Sequence, residues 1–245
     1  VKGAERPSRY NRQVHSKSSR PRILVVAQDF PWPAIGGSLQ RLSMVIDELA
    51  ELGDIDLFAL RHPRREGPFQ VHHDAVVRHR TAVLPEPDLR LRNRPRWLWS
   101  GLPMELATRD VRQVRSAFDA WVRPSYDLVW ISKVPTWQVV GRPALGPTVV
   151  DADDLEDRKI LAGLESQRTD RGGRSAVHFR LAAAQLTLNA RRWERVQRSA
   201  ADGVAAVTLC SELDVARSGL PNARVLRNGY VDPERPAGLV GGDRP

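Results

Sequence analysis

The chain of 245 residues has a single cysteine, Cys210. That excludes an internal disulfide framework and makes a reducing, cytoplasmic setting the expectation. No stretch approaches the roughly 18 consecutive apolar residues that a membrane-spanning helix needs. The opening segment "VKGAERPSRYNRQVHSKSSRPR" has no apolar core of the kind found in a signal peptide. There is no internal repeat. The G-x-G-x-x-G dinucleotide fingerprint is missing, so Asp56, read at the end of the second strand, is a weak ribose-binding candidate. Aromatic residues make up 6% and form no stacking pattern, which leaves nucleic acid a poor partner despite the charge. His72 and His73 are adjacent with no third ligand nearby in sequence, so they do not read as a metal site.

The charge is +9, and it is uneven. Residues 1–20 hold six Lys/Arg against one Glu, and residues 61–100 hold nine Arg against four acids. The remainder is close to neutral. Basicity thus belongs to an N-terminal tail, expected to be disordered over 1–21, and to one segment of the fold. In that segment Arg90, Arg92, Arg94 and Arg96 interleave with Leu89, Leu91, Trp97 and Trp99. Arginine with tryptophan suits an anionic membrane surface, where aromatic rings sit at headgroup depth. The alternative is that the tryptophans pack inside and the arginines are solvated.

From Arg22 the periodicity changes repeatedly. "RILVVA" reads as a buried strand. "SLQRLSMVIDELAEL" puts Leu39, Leu42, Val45, Ile46 and Leu49 on one helical face, with Ser38 as the expected N-cap and Gly53 as C-cap. "DIDLFAL" then alternates as a second strand. A βαβ unit of this kind calls for a parallel sheet and a right-handed crossover. Further strands are expected in "VVRHRTAVLP", "YDLVWIS", "TVVDADD", "DGVAAVTLCS" and "ARVLRNG". Helices are expected between them, including a long one with a basic outer face over "SAVHFRLAAAQLTLNARRWERVQRSA". The fold class is therefore α/β, one doubly wound parallel sheet across residues 22–232, with 233–245 a linker or truncated end.

In such sheets, ligands bind where the strands end at their carboxyl side. Three loops fall there. In "QDFPWPAIGGSLQR", Gly36 and Gly37 precede a helix N-terminus, where bare backbone and the helix dipole favour a phosphate. In "VVDADD", Asp151, Asp153 and Asp154 crowd one strand end and must be relieved by a cation or a substrate hydroxyl. One of Asp153 and Asp154 is also an expected cap for the next helix. In "RNGY", Asn228 and Gly229 form a turn pair.

Taken in order, these motifs resemble the N-terminal half of a GT-B fold glycosyltransferase of family 4. The carriers are Pro31-Trp-Pro33-Ala-Ile-Gly36-Gly37-Ser-Leu-Gln-Arg41, the run from Val207 through Cys210-Ser211-Glu212, and Val225-Leu-Arg-Asn228-Gly229-Tyr-Val231-Asp232. "GLPMELA" is similar to a segment of bacterial exopolysaccharide members. The resemblance spans residues 22–232 and implies a Rossmann-like, acceptor-side domain. It implies hexose transfer from a nucleotide diphosphate sugar to a saccharide or lipid-linked acceptor, with retention and no metal or other cofactor. Gly36, Gly37, Asn228 and Gly229 would then meet the donor, and Arg41 and Trp32 the acceptor. Asp151, Asp153 and Asp154 would be catalytic. The same resemblance calls for a second, C-terminal domain that this sequence lacks, and for a cytoplasmic location at the inner face of the membrane. Two rivals stand beside it. One is a non-catalytic membrane- or partner-binding module. The other is a GT-A enzyme using "DADD" as a metal-binding D-x-D.

Overall fold

The computed structural model describes residues 20–66, 69–169 and 176–228. Seven strands form one sheet: β1 (Arg22–Ala27), β2 (Asp54–Arg61), β3 (Val76–Val83), β4 (Leu128–Ser132), β5 (Thr148–Asp153), β6 (Ala206–Leu209) and β7 (Ala223–Val225). Their order is β3-β2-β1-β4-β5-β6-β7, and every pairing is parallel. The chain is a Rossmann-like α/β domain.

The helices follow from the patterns. Helix α1 (Gly37–Leu52) buries Leu42, Val45, Ile46 and Leu49 against Ile23, Val25, Ile55 and Leu57 on one sheet face. The short α2 (Arg94–Ser100) and α3 (Met104–Ala107) precede α4 (Arg112–Asp119) and α5 (Val134–Val139). Then come α6 (Glu156–Thr169), α7 (Ala176–Gly203) and α8 (Glu212–Ser218). Apolar residues of α4, α5 and α7, among them Phe118, Trp137 and Trp193, pack the opposite face over Leu24, Phe58, Ile131 and Val150. Strand order reverses between β1 and β4, so right-handed crossovers on the two sides put helices on both faces. That reversal opens a crevice at the carboxyl ends of β1 and β4.

Several local expectations are corrected. Helix α1 begins two residues earlier than expected. Gly36, at φ 88°, takes the N-cap position with no capping side chain, and Ser38 falls inside the first turn. Gly53 is the C-cap, but its backbone is extended. It must be glycine because a Cβ there would lie 2.1 Å from the Pro21 carbonyl oxygen. Arg20 and Pro21, counted with the tail on composition, are exposed but hydrogen-bonded to the fold. Pro21 accepts from the Asp54 N–H at 2.9 Å, and Arg20 donates to the Ala50 carbonyl at 2.6 Å. Strand β2 is buried along both faces instead of alternating, as befits its place inside the sheet. Asp56 lies near the amino end of β2, away from the ligand edge. It is buried and accepts from Arg78, Arg123 and the Tyr126 hydroxyl at 2.8–3.0 Å. Its role is thus to tie β2 to β3 and to the lead-in of β4. The expectations for residues 1–19, Gly229 and 230–245 lie outside the described residues.

Candidate functional site

The three loops singled out in the sequence meet at one side chain. Arg41 sits on the buried face of α1, 6% exposed. Its Nε and one terminal nitrogen donate to the two oxygens of Asp151 at 2.9 and 2.7 Å. The other terminal nitrogen donates to the Leu226 carbonyl at 2.8 Å and to Asn228 Oδ1. This is the planar two-pronged geometry that a guanidinium offers a carboxylate. Burial works against the Arg41 charge, but Asp151 outweighs it and raises the guanidinium pKa. Thr208 Oγ1 donates a further bond to Asp151 at 2.7 Å. One residue therefore couples the Gly-Gly helix, the "DADD" strand end and the stretch leading to Asn228.

The neighbouring carboxylates are also partnered. Asp153 accepts from Lys133 Nζ at 2.9 Å and lies 3.9 Å from Arg41 Nε. Asp154 pairs with Lys159 at 2.9 Å. Burial would raise the Asp154 carboxyl, yet Lys159 overrides it and holds the group below its ordinary value. Lys133 and Asp153 each have positive φ, 73° and 64°. Non-glycine residues rarely adopt that region, at a cost of about 1–3 kcal/mol apiece. Two such residues joined by an ion pair at adjacent strand ends mark a built feature. Neither Asp153 nor Asp154 caps α6 among the described hydrogen bonds. The first N–H of α6, at Glu156, donates to Gln197 Oε1 at 2.9 Å.

Asp153, Asp154 and Cys210 each bring a potential ligand atom within 4.8 Å of the others. Lys133 and Lys159 already neutralise the two carboxylates. Burial and the adjacent carboxylates push the Cys210 thiol up to about 11, which keeps it protonated and a poor metal ligand at neutral pH.

At the same edge of the sheet, a cavity of about 360 Å³ opens between the strand ends and the first turns of α1. Asp29, Ser38, His62, Glu86, Arg109 and Ser132 supply its polar wall, and Leu39 and Leu42 part of its apolar wall. His62 is oriented at both nitrogens. Nδ1 accepts from the Arg64 N–H at 3.2 Å, and Nε2 lies 3.4 Å from Glu86.

The opening loop is ordered by its own core. Phe30 and Trp32 are buried and meet edge-on at 5.8 Å. The Trp32–Pro33 peptide is cis. Arg65 clamps this loop, donating to the carbonyls of Phe30 and Trp32 and pairing with Asp29 at 2.7 Å. The Trp32 side chain therefore faces inward. Gly36 and Gly37 face open space, with nothing within 4 Å of a Cβ on either.

The arginine and tryptophan segment divides. Trp97 is buried at 4% exposure, with the Arg192 guanidinium 4.8 Å from its ring centre. A tryptophan so placed presents nothing to a lipid surface. Trp99 is 89% exposed beside Leu98 at 53%. Arg90, Arg92 and Arg96 are exposed. The side chain of Arg94 lies outside the described residues. Arg65, Lys133, Lys159 and Thr208 were not singled out by sequence, because their partners are set by topology, and neither was Arg109.

No protein-family model and no curated protein matches the chain. Among solved structures, it is similar to UGT71G1 of Medicago truncatula complexed with UDP-glucose, at 8% identity and a TM-score of 0.46. That match covers 85% of this chain and 51% of the other. It is also similar to a UDP-glucose:anthocyanidin 3-O-glucosyltransferase in complex with UDP, at 13% identity and a TM-score of 0.41 over 85% and 53% of the two chains. A third is LpCGTa in complex with UDP, at 11% and 0.42 over 88% and 56%. The chain spans about half the length of these structures. No helix among the described residues is long and apolar enough to cross a membrane.

Proposed function

We propose that the chain is the acceptor-side half of a GT-B-type glycosyltransferase. It would move a hexose from a nucleotide diphosphate sugar to a saccharide or lipid-linked acceptor. The supporting observation is the convergence at Arg41. Three motifs that the family resemblance singled out, spread from Gly36 to Asn228, share one buried guanidinium beside a cavity.

On this reading the donor diphosphate lies at the uncapped N-terminus of α1. Gly36 and Gly37 leave the backbone approachable there, and the helix dipole favours anions. The acceptor occupies the cavity. Asp153 is the carboxylate this reading assigns to the reacting sugar, with Lys133 fixing its orientation. Asp151 positions Arg41, and Asp154 is held in place by Lys159. A facing C-terminal domain contributes the remaining donor contacts, and transfer proceeds with retention and without a metal. Exposed Trp99 and Leu98 with Arg90, Arg92 and Arg96 serve contact with an anionic membrane surface at its inner face.

Gly37→Glu tests the donor site. It adds a carboxylate in open space at a residue without positive φ. An acid in the first helical turn stabilises by about 0.3–1 kcal/mol, so the melting temperature should hold or rise. Binding of UDP- or GDP-sugar to the parent chain, read by tryptophan fluorescence, should be weak, near millimolar, and fall by about tenfold in the variant. Equal binding by parent and variant would refute the donor site. Parent binding that requires manganese would move the donor to Asp151, Asp153 and Asp154 as a metal-bound D-x-D.

A further inference from the structure

The cavity wall carries unbalanced charge. Its two acids are matched: Asp29 by Arg65 at 2.7 Å, and Glu86 by Arg64 at 3.2 Å. Arg109 is not. Among the described residues no carboxylate lies within ion-pair distance of it, and its Nε is buried with no hydrogen-bond partner. Burial pushes the Arg109 guanidinium below its ordinary value, opposed only by the charge of Glu105. Glu105 is itself turned to Asn189, whose Nδ2 donates to both its oxygens at 3.3 Å. An arginine remains charged in such a place, and a partly buried charge with no partner at its Nε carries a cost.

Arg192 is a purely structural arginine in the same molecule. Arg192 also has a buried Nε without a partner. Its terminal nitrogens, however, donate to the carbonyls of Trp97, Leu98 and Leu102 at 2.7–3.1 Å. No such bonds are made by Arg109, which instead lines the cavity.

We propose that Arg109 anchors an anionic group, a phosphate or a carboxylate, on the acceptor sugar that enters this cavity. The word acceptor rests on the transferase reading above; the anion rests on the cavity's charge alone. A guanidinium fork matches either group with two parallel bonds. Ser38 and Ser132 offer hydroxyl partners for the sugar ring, and Leu39 and Leu42 an apolar wall for its C–H face. The volume of about 360 Å³ is at the small end of ligand pockets, about 300–1,000 Å³, which suits a sugar phosphate or a short acidic saccharide.

The test is calorimetric titration of the chain with glucose 1-phosphate, glucuronate and glucose. At least one anion should bind more tightly than glucose by about tenfold, the scale of one charge-assisted hydrogen bond. Arg109→Gln should reduce that anion to the level of glucose, and Arg109→Lys should retain part of the preference. Glucose 1-phosphate alone assigns a phosphate, glucuronate alone a carboxylate. The melting temperature of Arg109→Gln should be unchanged or higher, since a costly charge is removed. Unselective binding, no binding of any probe, equal binding by Arg109→Gln, or a clearly lower melting temperature would each overturn the proposal. Anion binding that needs Arg109 in a chain whose Gly37→Glu variant binds nucleotide sugar like the parent would keep the anion site and end the transferase reading. The opposite pattern would end the anion site alone.

Discussion

Arg41 and Asp151 are both nearly inaccessible, with side chains 6% and 7% exposed. Removing one partner of such a pair leaves the other charged, buried and unmatched, at a cost of about 3–5 kcal/mol. Arg41→Met and Asp151→Leu should each lower stability on that scale in urea melts. The double variant should lose far less than the sum, since the apolar pair replaces both charges together. Additive losses in that cycle would mean that the two groups act independently. The same residues show where sequence reading stops. Arg41 lies beside Leu42 in a clear helical pattern, and its motif drew attention to it. Its partner is 110 residues away, and no local signal names it. Lys133 and Asp153 are a harder case, since residues with side chains gave no hint of positive φ at both strand ends.

At the level of elements, legibility follows periodicity. The inner strands were readable as short apolar runs, buried on both faces, and α1 by its repeat of about 3.6 residues. The loop ends were not, because Gly36 and Gln197 do work that Ser38 and Asp153 or Asp154 were expected to do. Helix α2 is the sharpest instance. Its sequence "RPRWLWS" has two tryptophans two apart, which must point to different sides of a helix. One went to the core and one to solvent, and sequence alone did not say which. Because Leu98 and Trp99 project from a basic surface, Trp99→Ala combined with Arg90→Gln, Arg92→Gln and Arg96→Gln should reduce co-sedimentation with vesicles containing phosphatidylserine. Neutral vesicles should pull down neither form. Exposed residues here make few contacts within the fold, so the variant should melt like the parent. Unchanged sedimentation would remove the membrane from the reading.

Across the whole molecule, buried carboxylates serve the two rims of the sheet in different ways. Asp56 holds the amino rim with Arg78, Arg123 and Tyr126, and Asp151 holds the carboxyl rim with Arg41 and Thr208. Asp56→Ala should destabilise by about 1–3 kcal/mol, the scale of a buried hydroxyl losing its acceptor, since Arg78 and Arg123 stay partly exposed to water. In the folded fraction it should leave nucleotide-sugar and sugar-phosphate affinity unchanged, because ligands belong to the opposite rim. A change in affinity, measured well below the variant's melting temperature, would show that the two rims are coupled through the sheet.

The Arg41 junction also bears on the order in which the molecule comes into being. Its bonds close over separations of 110 and 187 residues, whereas β1, α1 and β2 are neighbours along the chain. During synthesis, which delivers about 5–20 residues each second, the first βαβ unit is available long before Asn228 leaves the ribosome. Until then Arg41 has no Leu226 carbonyl to bind, and the ligand edge stays open on its far side. A nascent chain can thus own most of its sheet, and the cavity lined by residues 28 to 132, while the junction that joins α1 to the last strand is still open.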